Sequence, residues 1–255
     1  MTDSWITSES SERTPQGLVN LRDVGGIALT SGGSIRSGVL FRSESLQEAS
    51  DADARVLLDR YRVVNVVDLR SARETVTEGR GPLGSSSVTY LNIPLNPAPV
   101  ELVSDTARPP GDLTAQVYRS FADDSDGGLP RVFWLLPELL ASPTLVHCAA
   151  GKDRTGLVIA MILEVAGAER DAVVADYLAS AANNDRVNEM LSRSPRYEAH
   201  MSKVHPEFYE VHALAITTYL ESLDRDFGGV RGWARSRGLT DAQLDRIASH
   251  LIVDP

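Results

Sequence analysis

The chain has 255 residues, 42% of them hydrophobic, which is enough to bury the core of one large α/β domain or two small ones. Its 25 basic and 35 acidic residues give a net charge of −10, which argues against general adhesion to nucleic acid or to anionic membranes. Any affinity for phosphate must therefore be local. The single cysteine excludes an intrachain disulfide and favours a reducing compartment.

The first sixteen residues are polar and lack the basic and apolar regions of a secretory signal. We expect residues 1–16 to form a flexible tail and residues 17–255 to form a single domain. The longest apolar stretch, residues 157–165, is too short to span a bilayer, so no integral membrane segment is predicted. The expected location is cytoplasmic, or secreted without a classical signal peptide.

The N-terminal half has the pattern of an α/β sheet. Paired glycines between short apolar runs in residues 17–43 predict small strands and turns at a sheet edge. Ser50 is placed to cap a helix over residues 51–61. Residues 63–69 are almost continuously apolar and β-branched, which is typical of a central parallel strand covered on both faces. A strand is also predicted over residues 88–95, and a long Pro-rich loop follows it.

Beyond this loop the pattern is mainly helical. Helices are predicted over residues 113–122 and 129–140, before a strand at 144–147 and an apolar helix at 155–166 that should lie in the core. Five more helices are predicted, over residues 169–179, 184–193, 206–225, 230–237 and 240–251. The order of elements predicts an α/β fold with a mostly parallel central sheet, flanking helices and a helical C-terminal portion.

The only cysteine lies in a tight loop between the strand at 144–147 and the apolar helix, where the sequence reads VHCAAGKDRTG. Backbone N–H groups at a helix N-terminus converge on an anion, and the helix dipole favours negative charge there. A helix N-terminus and a nearby cation also stabilise a thiolate. We therefore expect Cys148 to act as a nucleophile, and Arg154 to bind two phosphate oxygens and stabilise the transition state.

The rest of this loop is predicted to form a phosphate cradle. Gly151 lets the backbone turn closely around the anion, and Thr155 can hydrogen-bond the sulfur when it leaves again. His147 is expected to fix the loop geometry. The predicted phosphate-binding residues are Ala149, Ala150, Gly151, Lys152, Asp153 and Arg154. No Cys/His cluster has the spacing of a structural zinc site. Neither a metal nor a cofactor is predicted.

The run HCAAGKDRTG resembles the signature loop of cysteine-dependent protein tyrosine and dual-specificity phosphatases. The Lys-Asp pair before the arginine resembles the mycobacterial secreted tyrosine phosphatase B family and its bacterial relatives. Weaker matches to that family are NLRDVGG at 20–26, LFRS at 40–43, VDLRS at 67–71, DYL at 176–178 and GLTD at 238–241. The resemblance implies the cysteine-phosphatase fold and a metal-independent, two-step hydrolysis in which Cys148 becomes a phosphocysteine that water then cleaves.

Such a reaction needs a general acid within hydrogen-bond distance of the leaving oxygen. Asp153 matches the position that the bacterial family uses. Classical phosphatases take their acid from a separate mobile loop, so Asp105 and Asp112, which follow the strand at 88–95, are alternatives. Asp68 ends the predicted central strand and is assigned a supporting role, holding Arg154 or the loop.

Substrate class is the more open question. Lys152 adds a cation that can attract a second phosphate, and it also resembles the loop of phosphoinositide phosphatases of the phosphatase and tensin homologue type. A solvated surface lysine is the alternative. The expected partners are therefore phosphotyrosine proteins, with phosphoserine, phosphothreonine and phosphoinositide headgroups as further candidates. Asn20 is expected to brace the loop, and Arg22 and Arg42 to line the pocket mouth.

Residues 181–204 are polar with apolar side chains at spacings that predict one apolar face, and they resemble the helical lid of this family. Ordinary helices fixed on the core are the alternative. Other functions remain to be weighed: a phosphoinositide-specific phosphatase, a non-catalytic phosphate-binding module, and a sulfur transferase or arsenate reductase. Retention of Cys148 and Arg154 disfavours the binding module, and the His-Cys and Arg-Thr-Gly ends of the loop disfavour the last pair.

Overall fold

The computed structural model describes residues 17–96, 109–195, 197–198 and 209–253. Its main sheet has five strands in the order β1, β3, β6, β4 and β5, and a second sheet pairs β2 with β7. The strands are β1 (Arg22–Asp23), β2 (Ser34–Ile35), β3 (Leu40–Ser43), β4 (Asn65–Asp68), β5 (Thr89–Asn92), β6 (Thr144–His147) and β7 (Ile252–Val253).

Strands β3, β6, β4 and β5 are parallel to their neighbours, and β1 joins the β3 edge in the antiparallel sense. Every residue of β3, β4 and β6 is buried, as expected of strands with both faces covered. The predicted α/β fold with a mostly parallel sheet is confirmed. Register places Ser43 and Asp68 beside His147, so the carboxyl ends of three strands meet at one edge of the sheet.

Helices surround this sheet and make up most of the C-terminal half. Those with fully described bounds are α1 (Asp51–Arg55), α2 (Ala72–Glu78), α3 (Asp112–Asp123), α4 (Gly128–Leu139), α5 (Asp153–Ala166), α6 (Arg170–Leu178), α7 (Asn184–Ser192), α8 (Ala213–Phe227), α9 (Val230–Ser236) and α10 (Asp241–Leu251). Within the described ranges, no helix combines the length and apolar character needed to cross a bilayer.

Helix α5 is the central helix of the fold. Nearly all of its residues are buried, and it contacts α6, α9 and α10 as well as β3 and β6. This agrees with its apolar sequence on all sides. Ser50 caps α1 as the sequence predicts, and Thr240 with Gln243 forms a capping box at the start of α10.

Two predicted helices differ from those observed. The helix predicted over residues 51–61 becomes a π-helical turn after Arg55, and this turn places the Tyr61 ring 5.0 Å from that of Phe41 in a stacked pair. The helix predicted from residue 206 begins only at Ala213 in the described part of the chain. The carbonyl of Glu210 instead accepts a hydrogen bond from the Lys152 side chain, so it is not used in a helical ladder.

Candidate active site

The loop that joins β6 to α5 lies at the carboxyl edge of the parallel sheet. Cys148 follows the last residue of β6, and Asp153 is the first residue of α5. Cys148 is only 2% exposed, which places it at the base of this loop. The strand fixes one end of the loop and the buried helix fixes the other.

Three consecutive carbonyl groups of the loop are bound from outside it. The Ser45 N–H donates to Ala149 O (2.8 Å), the Asn20 Nδ2 group to Ala150 O (3.1 Å), and the Arg42 guanidinium to Gly151 O (2.8 Å). The described peptides are all trans, so each N–H points opposite to the carbonyl of the same peptide. The N–H groups of residues 150–152 are therefore directed to the inner side of the loop, where an anion would bind.

Gly151 is required by this arrangement. Its φ of 67° lies in the left-handed region, and a Cβ atom would come within 2.3 Å of Ser43 O. The glycine thus lets the loop lie directly against the end of β3. Gly156 has a related role one turn into α5, where a Cβ atom would come within 2.8 Å of the Tyr177 ring on α6.

Arg154 forms a two-pronged ion pair with Glu74 of α2. Both N···O distances are 3.1 Å, and the Arg154 side chain retains 20% exposure. Burial alone would raise the pKa of Glu74, but the charge of Arg154 and hydrogen bonds from it and Ser71 lower that pKa to about 2. Glu74 is therefore a carboxylate that orients the arginine. Its Oε1 also accepts a hydrogen bond from Tyr197 (3.1 Å).

Asp68 belongs to a separate buried cluster. It pairs with Arg70 at 2.8 Å and accepts a hydrogen bond from Tyr90 (3.0 Å), whose hydroxyl also lies 3.0 Å from His147 Nε2. Burial lowers the pKa of His147 to about 4, so its imidazole is neutral near pH 7. Asp68 was predicted to hold either Arg154 or the loop. In the structure it supports the loop through Tyr90 and His147, and Glu74 is the carboxylate that holds Arg154.

Arg42 does not line the pocket mouth, and that prediction is wrong. It is fully buried behind the loop, because its guanidinium donates to the loop and pairs with Asp176 of α6 at 2.5 Å. Arg22, with 22% of its side chain exposed, pairs with the other oxygen of Asp176 and donates to Asn20 Oδ1 (2.6 Å). Both arginines thus support the partners of the loop.

Lys152 is buried at 4% exposure, which contradicts the alternative of a solvated surface lysine. Its Nζ donates to Glu210 O (3.1 Å) and lies 3.6 Å from Asp153 Oδ2. The other carboxyl oxygen of Asp153 accepts a hydrogen bond from the Tyr118 hydroxyl at 2.9 Å, and the Asp153 side chain is 33% exposed. Asp153 is therefore held on both sides and remains accessible from solvent.

Of the two alternative acids, only Asp112 lies within the described residues. Asp112 is the first residue of α3, and its carboxylate accepts a hydrogen bond from Gln116 of the same helix at 2.9 Å. Asp105 lies outside the described residues. No group of three or more His, Cys, Asp or Glu side chains in the described ranges is arranged to hold a metal ion.

The loop geometry is compatible with an anion bound beside Cys148, and sequence comparison identifies the family. The sequence model of the tyrosine phosphatase family matches residues 14–253. The chain belongs to the tyrosine phosphatase family. It is 30% identical over 279 residues to the triple specificity protein phosphatase PtpB of Mycobacterium tuberculosis, an alignment that covers 92% of this phosphatase and 97% of the relative.

Two further relatives illustrate the range of similarity. A Cupriavidus necator protein, provisionally named a tyrosine-protein phosphatase, is 28% identical over 238 residues, which cover 86% of this phosphatase and 81% of the relative. Among solved structures, Pseudomonas aeruginosa TpbA aligns with 71% of this phosphatase and 88% of its own chain, at 20% identity and a TM-score of 0.38.

Helix α7 and Tyr197 cover the loop of the phosphatase. Their apolar side chains form a cluster with loop residues that is separate from the main core; it comprises Ala149, Val187, Met190, Leu191 and Tyr197, with Val19 and Ala150 packed against it. The described part of the segment 181–204 therefore packs against the loop that joins β6 to α5. Residues 199–204, including Met201, lie outside the described residues.

Three residues of this phosphatase's site were missed by sequence reasoning. Glu74 had a visible signal, because Ser71 three residues earlier gives the spacing of a capping box. Asp176 was noted only as part of a weak family match. Tyr118 had no signal beyond the periodicity of a core residue, since its hydroxyl meets Asp153 only after α3 packs in place.

Proposed function

We propose that this phosphatase hydrolyses phosphate monoesters of protein tyrosine through a phosphocysteine on Cys148. The observation that carries the proposal is the outward anchoring of three successive loop carbonyls, which directs the opposite N–H groups toward one anion site. That site begins at Cys148 and ends at Arg154. A purely structural cysteine would need neither the anchoring nor the oriented arginine.

In the first step, the Cys148 thiolate attacks phosphorus, the S–P bond forms and the P–O ester bond breaks. Asp153 gives its proton to the departing oxygen, which leaves as a neutral alcohol or phenol. The inward N–H groups and Arg154 stabilise the charge on the three equatorial oxygens. Glu74 supports this step by holding the guanidinium plane in one orientation.

In the second step, water attacks the phosphocysteine while Asp153 takes one of its protons. The S–P bond breaks and its electron pair returns to sulfur, which regenerates the thiolate and releases inorganic phosphate. The Thr155 hydroxyl is buried and has no hydrogen-bond partner among the described residues. We assign it to the departing sulfur, because a buried hydroxyl normally finds a partner.

Asp153 is the acid in this proposal because it lies within the loop, is held by neighbouring side chains and can be reached by a substrate. Tyr118 fixes one carboxyl oxygen, and Lys152 lies near the other. A third of the side chain remains exposed, so a substrate can approach it. Asp112 bonds within its own helix instead.

We propose that the same site also accepts phosphate esters other than phosphotyrosine. PtpB of Mycobacterium tuberculosis is named for triple specificity, which supports activity of this chain on phosphoserine, phosphothreonine and phosphoinositides as well. Lys152 is the residue suited to a second phosphate. It currently donates to Glu210 O, so binding a second phosphate requires that contact to break.

The test of the reaction uses para-nitrophenyl phosphate with and without a metal chelator. Chelator-resistant release of nitrophenol is expected, and Cys148→Ser should abolish turnover while retaining phosphate binding. Asp153→Asn should slow alkyl phosphates more than aryl phosphates, because the poorer leaving group depends more on the proton. Equal losses on both substrates would remove Asp153 from the acid role.

A second assay decides the substrate class. Phosphotyrosine, phosphoserine and phosphothreonine peptides are compared with short-chain phosphoinositides by kcat/KM. A phosphoinositide preference above about tenfold, equivalent to about 1.4 kcal/mol of transition-state discrimination, would favour the alternative of a lipid-specific enzyme. In that case Lys152→Met should lower activity on phosphoinositides more than on phosphotyrosine.

We also propose that residues 181–204 act as a lid. The packing of Met190 and Leu191 against the loop, and the 2% exposure of Cys148, support this role. Weakening the contact with Met190→Ser should accelerate inactivation of Cys148 by peroxide, since the thiolate becomes accessible more often. An unchanged inactivation rate would favour the alternative of a fixed helix.

A further inference from the structure

Two buried tyrosines connect the loop to the helices beside it. Tyr118 of α3 and Tyr177 of α6 are each 1% exposed, and their hydroxyl oxygens are 2.8 Å apart. The Tyr118 hydroxyl also lies 2.9 Å from Asp153 Oδ1. The three groups thus form one continuous hydrogen-bonded chain from α6 to the first residue of α5.

The direction of this chain follows from the number of protons. Each phenol has a single hydroxyl proton, and when Asp153 is a carboxylate both of its oxygens can only accept. Tyr118 must therefore donate to Asp153, and Tyr177 must donate to Tyr118. Burial, together with the charge of Asp153, raises the pKa of Tyr118 well above its ordinary value, so this phenol keeps its proton.

The Tyr118 ring is held firmly in this position. It packs edge-on against Tyr177, with ring centroids 6.4 Å apart, and against Tyr219 of α8, with centroids 6.0 Å apart. Its hydroxyl therefore has one available direction. By contrast, the Tyr219 hydroxyl contacts Met161 Sδ at 3.1 Å and takes no part in the chain to Asp153.

We propose that Tyr118 is a positioning residue that determines which oxygen of Asp153 carries the transferable proton. This inference rests on the proposed acid role of Asp153. Because Tyr118 donates to Oδ1, the proton of the neutral acid lies on Oδ2. When the ester P–O bond breaks, the Oδ2–H bond also breaks, and the proton passes to the leaving oxygen. The electron pair stays on Oδ2, and the resulting carboxylate keeps the hydrogen bond from Tyr118 on Oδ1.

The groups facing Asp153 are few in the described part of the chain. Lys152 lies on its own loop, Tyr118 on α3, and Tyr177 reaches it electrostatically from α6. Loss of the Tyr118 hydroxyl removes a donor to the carboxylate and leaves the other two groups in place. The carboxyl group of Asp153 then loses the contact that fixes its orientation toward the leaving oxygen.

The test compares Tyr118→Phe with Tyr219→Phe, a matched control that removes a buried hydroxyl one helix away. We expect Tyr118→Phe to lower kcat/KM on phenyl phosphate by about tenfold and on para-nitrophenyl phosphate by less than about threefold. Tyr219→Phe should keep wild-type values for both measurements. Identical behaviour of the two variants would overturn the inference.

A double-mutant cycle separates this inference from the proposed function. If Tyr118 acts through Asp153, adding Tyr118→Phe to Asp153→Asn should cause no further loss on phenyl phosphate. An additive loss would overturn the positioning role, whereas an Asp153→Asn enzyme without leaving-group dependence would overturn the acid assignment itself. If Tyr118→Phe fails to fold, Tyr177→Phe replaces it, with a smaller change in the same direction expected and no change counting against the chain.

Discussion

The ion pair between Glu74 and Arg154 allows a quantitative prediction. Burial raises the pKa of Glu74, but Arg154 outweighs it and lowers the pKa from 4.5 to about 2. This lowering of the pKa by about 2.5, at about 1.4 kcal/mol per pKa unit, corresponds to at most about 3 to 4 kcal/mol of folding free energy. This stabilisation is complete above pH 4.5 and is lost as the pH falls toward 2, because Glu74 of the unfolded chain takes up a proton in that range while the folded carboxylate does not.

We expect Glu74→Gln to lower the free energy of unfolding by about 2 to 3 kcal/mol near neutral pH. The difference in the free energy of unfolding between wild type and variant should become smaller as the pH falls below 4.5. Urea unfolding at several pH values measures this difference. The control is Glu78→Gln, which changes a half-buried glutamate at the end of the same helix. The reasoning would be refuted if the difference in free energy of unfolding stayed constant with pH, or if Glu78→Gln caused the same difference.

The same substitution should also affect the reaction. The amide of glutamine can accept through one oxygen only, so one of the two Arg154 nitrogens that bind Glu74 would lose its acceptor. The arginine then loses its fixed plane, and kcat/KM should fall by about ten- to hundredfold. Wild-type kcat/KM in a folded Glu74→Gln enzyme would show that Arg154 is oriented by other contacts.

Gly151→Ala should destabilise the protein by more than about 2 kcal/mol and weaken phosphate binding, because its Cβ would meet Ser43 O at 2.3 Å. Gly26→Ala, with a φ of 85° and nothing within 4 Å, separates that clash from backbone strain in the same thermal-melt and phosphate-titration experiments. Glu44, whose pKa burial raises from 4.5 to about 7, should make stability fall as the pH rises between those values. Glu44→Gln should flatten that dependence in urea unfolding, and an unchanged slope would assign it to another group.

The local parts of the site were predictable from the sequence. The strand, the loop and the apolar helix around Cys148 lie within one short segment, so periodicity and spacing predict their order directly. The predicted cap at Ser50 is equally local, because its side chain accepts from the N–H of Asp53, three residues further along the chain. Each of these features depends on residues that are close together in the chain, so a local sequence pattern is sufficient to predict it.

The supports of the loop were not predictable in their detail. Asn20 acts on a carbonyl 130 positions away, Arg42 on one 109 positions away, and Glu74 on an arginine 80 positions away. Residue type indicates that such side chains need partners, but only the packed sheet and helices determine which partners they meet. For this reason Arg42 was expected at the pocket mouth and is found behind the loop.

Helix α6 connects two functions through adjacent residues. Asp176 binds the two arginines behind the loop, and Tyr177 is the donor that orients Tyr118. Successive residues of a helix point about 100° apart, so one rigid helix reaches both groups of partners. A small rotation of α6 would therefore disturb anion affinity and proton delivery together. Distant substitutions that shift this helix should produce correlated changes in the two properties, a signature that pocket substitutions would not share.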